Sequence, residues 1–171
     1  MAIKIMWQNW TKKTLNLTTF GNDLAQEGQV EQAPEETLPS DGSTTFETTD
    51  PSIAGTAGIS AMAIWTEPIT GARFGISVDY PLSIASVHLG DYSWGYMVDP
   101  APPGIPSGFQ KRTSSDLWQD GFATPVDIEN IAGQFYYTIE PDFTADLLSF
   151  TITIGVKSTD PSADSYVPSA V

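Results

Sequence analysis

The sequence predicts an all-β fold: an antiparallel β-sandwich of two packed sheets with little helix. Three observations carry this prediction. Apolar and polar residues alternate at period two in one short segment after another. Roughly eight to ten such segments are separated by Gly, Pro, Asn and Asp turn signals. No stretch sustains the 3.6-residue period of an amphipathic helix, so packed antiparallel layers are favoured over an α/β design.

The elements follow in order. Ile3, Ile5 and Trp7 alternate with Lys4, Met6 and Gln8. Asn9–Lys13 turns the chain, and Thr14–Thr18 alternates again, which reads as a first hairpin. Phe20–Asp41 is polar and acidic, a long connection with one short helical turn near Asp23–Gln26. Ser43–Thr48 is a Thr-rich strand around Phe46, Asp50-Pro51 a turn, and Gly55–Gly58 a close backbone approach.

Ile59–Trp65 is mostly apolar, a strand covered on both faces. The turn Glu67-Pro68-Ile69-Thr70-Gly71 joins it in a second hairpin to Arg73–Tyr80, the middle strand of the domain. There Phe74, Ile76, Val78 and Tyr80 share one face, and Pro81, which cannot donate to a ladder, implies that the strand ends there or lies at an edge. Ser83–Val98 reads as two short strands around a turn at Gly90-Asp91. Asp99–Gly108, with four of the thirteen prolines, reads as a stiff surface loop. Ser114–Trp118 can start a short helix from a serine cap.

Val126–Ile131 alternates. Phe135, Tyr137 and Ile139 form the next inner face, and Pro141 is expected to close that strand. Leu148, Phe150, Ile152, Ile154 and Val156 make the cleanest alternation in the chain. Without a tandem repeat, the 171 residues fit one domain over 1–157 with a loose tail at 158–171.

Composition narrows the function. Twenty-one acidic against seven basic residues give a formal net charge of −14. Such a surface repels nucleic acid and anionic lipid, so no nucleic-acid partner is expected. Membrane contact would have to use apolar insertion or a specific, zwitterionic headgroup. With no cysteine there is no disulfide, thiolate nucleophile or thiolate metal site. The first residues lack a signal peptide's apolar run, and no run is long enough for a spanning helix. The expectation is a soluble protein, cytoplasmic or released by a route the sequence does not show. Asn9-Trp10-Thr11 and Asn16-Leu17-Thr18 fit the glycosylation pattern as chance matches.

The order of features resembles the aegerolysins and the related small components of binary crystal toxins. Asn9-Trp10-Thr11-Lys12-Lys13-Thr14-Leu15-Asn16-Leu17 matches the family's Asn-x-Thr-x-x-Thr-Leu-x-Leu after a first strand. A polar stretch with Gly28 and Pro34, a strand around Phe46, Gly55-Thr56-Ala57-Gly58 and an alternating strand from Phe74 to Pro81 follow in the family's order. The resemblance covers about Ile3–Ser86. It implies a β-sandwich that recognises a membrane component, often beside a larger partner that makes the pore. After Pro81 the family shows Gly and Asn where this chain has Ser83-Ile84-Ala85-Ser86, so the family's lipid preference is not carried over.

The residues carry no reaction motif. The lone His88 has no Gly-x-Ser-x-Gly elbow to serve, and one His without Cys is a poor zinc set. Neither a paired-carboxylate motif, a calcium loop nor a phosphate loop is present. No enzyme, cofactor or metal is therefore expected. The sharper signal is Asp91-Tyr92-Ser93-Trp94-Gly95-Tyr96 with Asp99 beyond, together with Trp118. Aromatic faces and carboxylates can hold an organic cation such as choline or ethanolamine, and Trp and Tyr suit the lipid–water interface. The same alternation equally describes the apolar side of a core strand.

The leading expectation is a non-enzymatic, aegerolysin-like binder of a membrane lipid or glycolipid headgroup. Its ligand residues would be Asp91, Tyr92, Trp94, Tyr96, Asp99 and Trp118, and it would be one part of a two-component pore-forming toxin, insecticidal or hemolytic. The alternatives are a lectin-like sandwich that stacks sugars on the same aromatics, a jelly-roll glycosidase with two facing carboxylates, and an assembly protein that buries Tyr92 and Trp94 in an oligomer.

Overall fold

The computed structural model describes residues 2–22, 29–49, 59–80, 93–113, 122–144 and 146–156. These residues form twelve strands and no helix: β1 Ala2–Asn9, β2 Leu15–Asn22, β3 Gln29–Gln32, β4 Thr37–Leu38, β5 Ser43–Thr49, β6 Ile59–Thr66, β7 Arg73–Tyr80, β8 Ser93–Asp99, β9 Gln110–Thr113, β10 Val126–Ile131, β11 Phe135–Phe143 and β12 Leu147–Val156. They assemble into two six-stranded sheets, ordered β10-β11-β12-β1-β5-β3 and β4-β2-β6-β7-β8-β9. Every pairing is antiparallel except β1 with β12, the first and last strands of the described residues, which run parallel side by side in one sheet.

The alternation drives the layering. Each strand must bury one face, and the faces meet between the sheets. Ile3, Ile5 and Trp7 of β1 and Leu148, Phe150, Ile152 and Ile154 of β12 are buried from one layer. Ala61, Ala63 and Trp65 of β6 and Phe74, Ile76 and Val78 of β7 are buried from the other. Aromatic pairs lock the layers edge to face. Trp7 meets Trp65 with ring centroids 5.8 Å apart, Phe74 meets Phe135 at 5.6 Å and Trp94 meets Phe150 at 5.4 Å. The Tyr137 hydroxyl donates across the core to the Gly75 carbonyl at 2.9 Å, and burial pushes its pKa far up, so it stays a neutral donor. On the outer side of β12, Gly155 leaves room for the Tyr136 ring, with which any Cβ at that position would collide.

Four expectations change. The first two strands are not a hairpin: β1 pairs with β12 and β5, whereas β2 pairs with β4 and β6 in the opposite layer. Both strands are apolar on one side, and facing each other across the core buries both. Pro141 does not close β11, which runs on to Phe143. The last β10 residue paired along this part is Val126, opposite Ile139, so Pro141 sits where β11 has an open side and its missing N–H costs no ladder bond. Strand β6 is only partly covered outside, where Ser60 and Met62 are half-buried. The short edge strands β3, β4 and β9 were not anticipated, because Gln29–Gln32 and Gln110–Thr113 are too polar to alternate. The helical turns at Asp23–Gln26 and Ser114–Trp118, the turns at Asp50-Pro51 and Gly90-Asp91, and the tail lie outside the described residues.

The sandwich has two ends. One gathers the turns 10–14, 39–42, 67–72, 100–109 and 132–134. Asn9 is the anchor of that end. It is fully buried, its amide donates to the carbonyls of Lys13, Leu38 and Pro39, and its oxygen accepts from the N–H and hydroxyl of Thr11. The Asn-x-Thr spacing is thus a turn device, with no exposed amide for a glycan.

Candidate functional site

Strand β8 was expected to present the ligand patch. Its register decides otherwise. Trp94 pairs with Val78, Tyr96 with Ile76 and Val98 with Phe74, so all three point inward with the core face of β7. Trp94 is 1% exposed and its indole N–H donates to the Phe122 carbonyl at 2.7 Å. By contrast, the buried indole nitrogens of Trp7 and Trp65 find no hydrogen-bond partner among the described residues. Trp94 is therefore a core side chain and not an exposed platform. The physical reason is the burial of a large apolar ring whose polar tip already has an acceptor.

Tyr96 is half-buried beside it, with ring centroids 6.1 Å apart. The faces of both rings carry a cation from the protein itself. Arg112 of β9 pairs with Trp94 across the ladder, and its guanidinium lies 5.0 Å from the Trp94 centroid and 5.5 Å from that of Tyr96. The same group donates to the Thr124 carbonyl. It closes the side of the sandwich where β9 and β10 form the sheet edges, and it takes the place an organic cation would need.

Asp99 points to the opposite face of β8, as its odd number against Trp94 and Tyr96 requires. There it accepts two hydrogen bonds from Arg73, at 2.7 and 3.0 Å, with both side chains about half exposed. The predicted set is thus divided between the two faces of one strand. Asp91, Tyr92 and Trp118, like His88, lie outside the described residues.

A second feature is better built. In the turn between β6 and β7, the Glu67 carboxylate is fully buried and accepts from the N–H groups of Ile69 and Thr70, at 3.0 and 2.7 Å, and from the Thr70 hydroxyl. Gly71, at φ 74°, donates to the Glu67 carbonyl, and Ala72 donates to the Thr70 hydroxyl oxygen. Burial alone would raise the Glu67 pKa, but these hydrogen bonds and the charge of Lys13 outweigh it and hold the carboxyl below its ordinary value. The turn is closed by its own hydrogen bonds, and on its outside stands Ile69, 78% exposed. Sequence reading passed over Ile69 as part of a turn. The available signal was a large aliphatic residue in the middle of Glu-Pro-x-Thr-Gly, where no strand face can absorb it.

At the other end, an open depression of about 410 Å³ is lined by Gly21, Ser60, Ala61, Met62, Ser77, Val78 and Asp79. Among the described residues that line it, Asp79 is the one titratable group, and these offer no acid–base pair. Among the described residues no group of three His, Asp or Glu side chains could hold a metal ion, and no helix is long and apolar enough to cross a membrane. No known family profile and no curated protein matches the chain.

Proposed function

We propose that this protein is a non-enzymatic, aegerolysin-like β-sandwich that binds a membrane lipid or glycolipid headgroup and works as one component of a two-part pore-forming toxin. The observation that carries the reading is the opening strand–turn–strand unit. Asn9 and Thr11, which carry the resemblance, hold the crossing from β1 to β2 through a closed hydrogen-bond set. Leu15 is buried in the core and Leu17 packs against it. The motif therefore has an architectural reason to exist at that spacing. Function follows from the resemblance and from a scaffold whose loops gather at its ends, where binding residues are commonly carried.

Sugar stacking on Trp94 and Tyr96 would need an exposed ring face that neither supplies, and the same burial removes both from the lipid-headgroup reading. The test is flotation with liposomes over a panel of headgroups, run beside a glycan array. Binding to at least one lipid surface is expected. Retention by glycans with no lipid binding would reverse the reading.

A further inference from the structure

We propose that the turn Glu67–Ala72 is the element that enters a lipid surface, with the neighbouring turn 10–14 at the level of the headgroups. This rests on the lipid-binding reading above and names its contact site. Three observations converge on it.

The first is Ile69. At 78% exposure it stands apart from the other exposed large hydrophobics among the described residues, Phe20 at 38% and Phe109 at 37%. Taking one such side chain out of water is worth about a tenfold to a hundredfold in partition.

The second is the turn's backbone. An N–H carried into an apolar layer without a partner opposes insertion. Here Pro68 has none, Ile69 and Thr70 donate to the Glu67 carboxylate, Gly71 to the Glu67 carbonyl and Ala72 to the Thr70 hydroxyl. Every N–H from residue 68 to 72 is satisfied within the turn, so the tip can leave water without stranding a donor.

The third is charge. Asn16 of β2 pairs with Thr66 of β6, which sets the 10–14 turn beside this one. That turn bears Lys12 and Lys13, two of the seven basic residues, and the half-buried Trp10. Of the carboxylates at this end among the described residues, Glu67 is turned inward and Asp99 is paired to Arg73, while Asp41 and Glu36, the latter next to the β4 residue that pairs with Asn16, are exposed. In a chain of net charge −14, this end can meet headgroup phosphates, and a zwitterionic bilayer is the surface it fits.

The chain contains no cysteine, so Ile69→Cys labelled with an environment-sensitive fluorophore gives a single reporter. Asp142→Cys, on the end of β11 away from the turn, is the control. Both would be mixed with vesicles of phosphatidylcholine alone, with phosphatidylethanolamine, with sphingomyelin and cholesterol, or with phosphatidylserine. The expected result is a blue-shifted emission at 69 and none at 142 on zwitterionic vesicles, with Ile69→Asp floating about tenfold less while its melting midpoint is unchanged. Water-like emission at 69 on bound protein, or an Ile69→Asp variant that floats as well as the wild type, overturns the insertion site and leaves the lipid reading standing. A wild type that floats with no vesicle overturns both.

Discussion

Strand β8 and the turn between β6 and β7 sit in the same sheet, and each carries apolar side chains in a strongly acidic protein. Their fates are opposite. In β8 the ladder with β7 turns Trp94 inward, and Arg112 covers what faces the sheet edge. In the turn there is no ladder to assign a face, and the hydrogen bonds converge on Glu67 beneath the backbone, leaving Ile69 outside. An aromatic in an alternating strand is claimed by the core. An aliphatic in a satisfied turn stays available for a partner.

The comparison breaks most sharply at Trp94. Trp94→Ala removes a fully buried indole and its bond to the Phe122 carbonyl, and should cost about 3–5 kcal/mol of a stability that is typically about 5–15. Urea unfolding measures it. A midpoint equal to wild type would return Trp94 to the list of ligand residues.

A smaller effect is expected at Glu67→Gln, which keeps the shape and removes the charge that accepts three hydrogen bonds. The loss at neutral pH should be about 1–2 kcal/mol. Because the carboxyl is held below its ordinary 4.5, its contribution is present above that value and disappears as pH falls through the lowered native one. The gap between wild type and variant should therefore close in acid. A gap that stays constant in acid would mean that the charge is not what holds the turn.

The least effect belongs to Asp99→Asn. Its pair with Arg73 is about half exposed on both sides, so the change should stay within about 0.2–1 kcal/mol and shrink further in high salt. A larger, salt-independent loss would show that the outer face of β8 matters as much as the inner one.

Much of the architecture was legible. The bounds of β7 and β10, the β6–β7 hairpin and the inner faces of β11 and β12 follow from alternation alone. The edge strands were not, because β9 owes its extended form to pairing with β8 and Gln110–Thr113 has no pattern of its own. The candidate site was half legible. That Trp94 and Asp99 lie on opposite faces is in their numbering, whereas the capture of the aromatic faces by Arg112 needed the pairing of β8 with β9.

The residues in their order determined that this chain is built of pleated strands with one apolar side. Pleating is local, and burying one side of it demands period two. Only the tertiary structure decided that β1 lies parallel to β12, that β1 and β2 part into opposite layers, and which apolar groups remain in water. Those outcomes depend on contacts between residues far apart in the chain, and no neighbouring residues encode them.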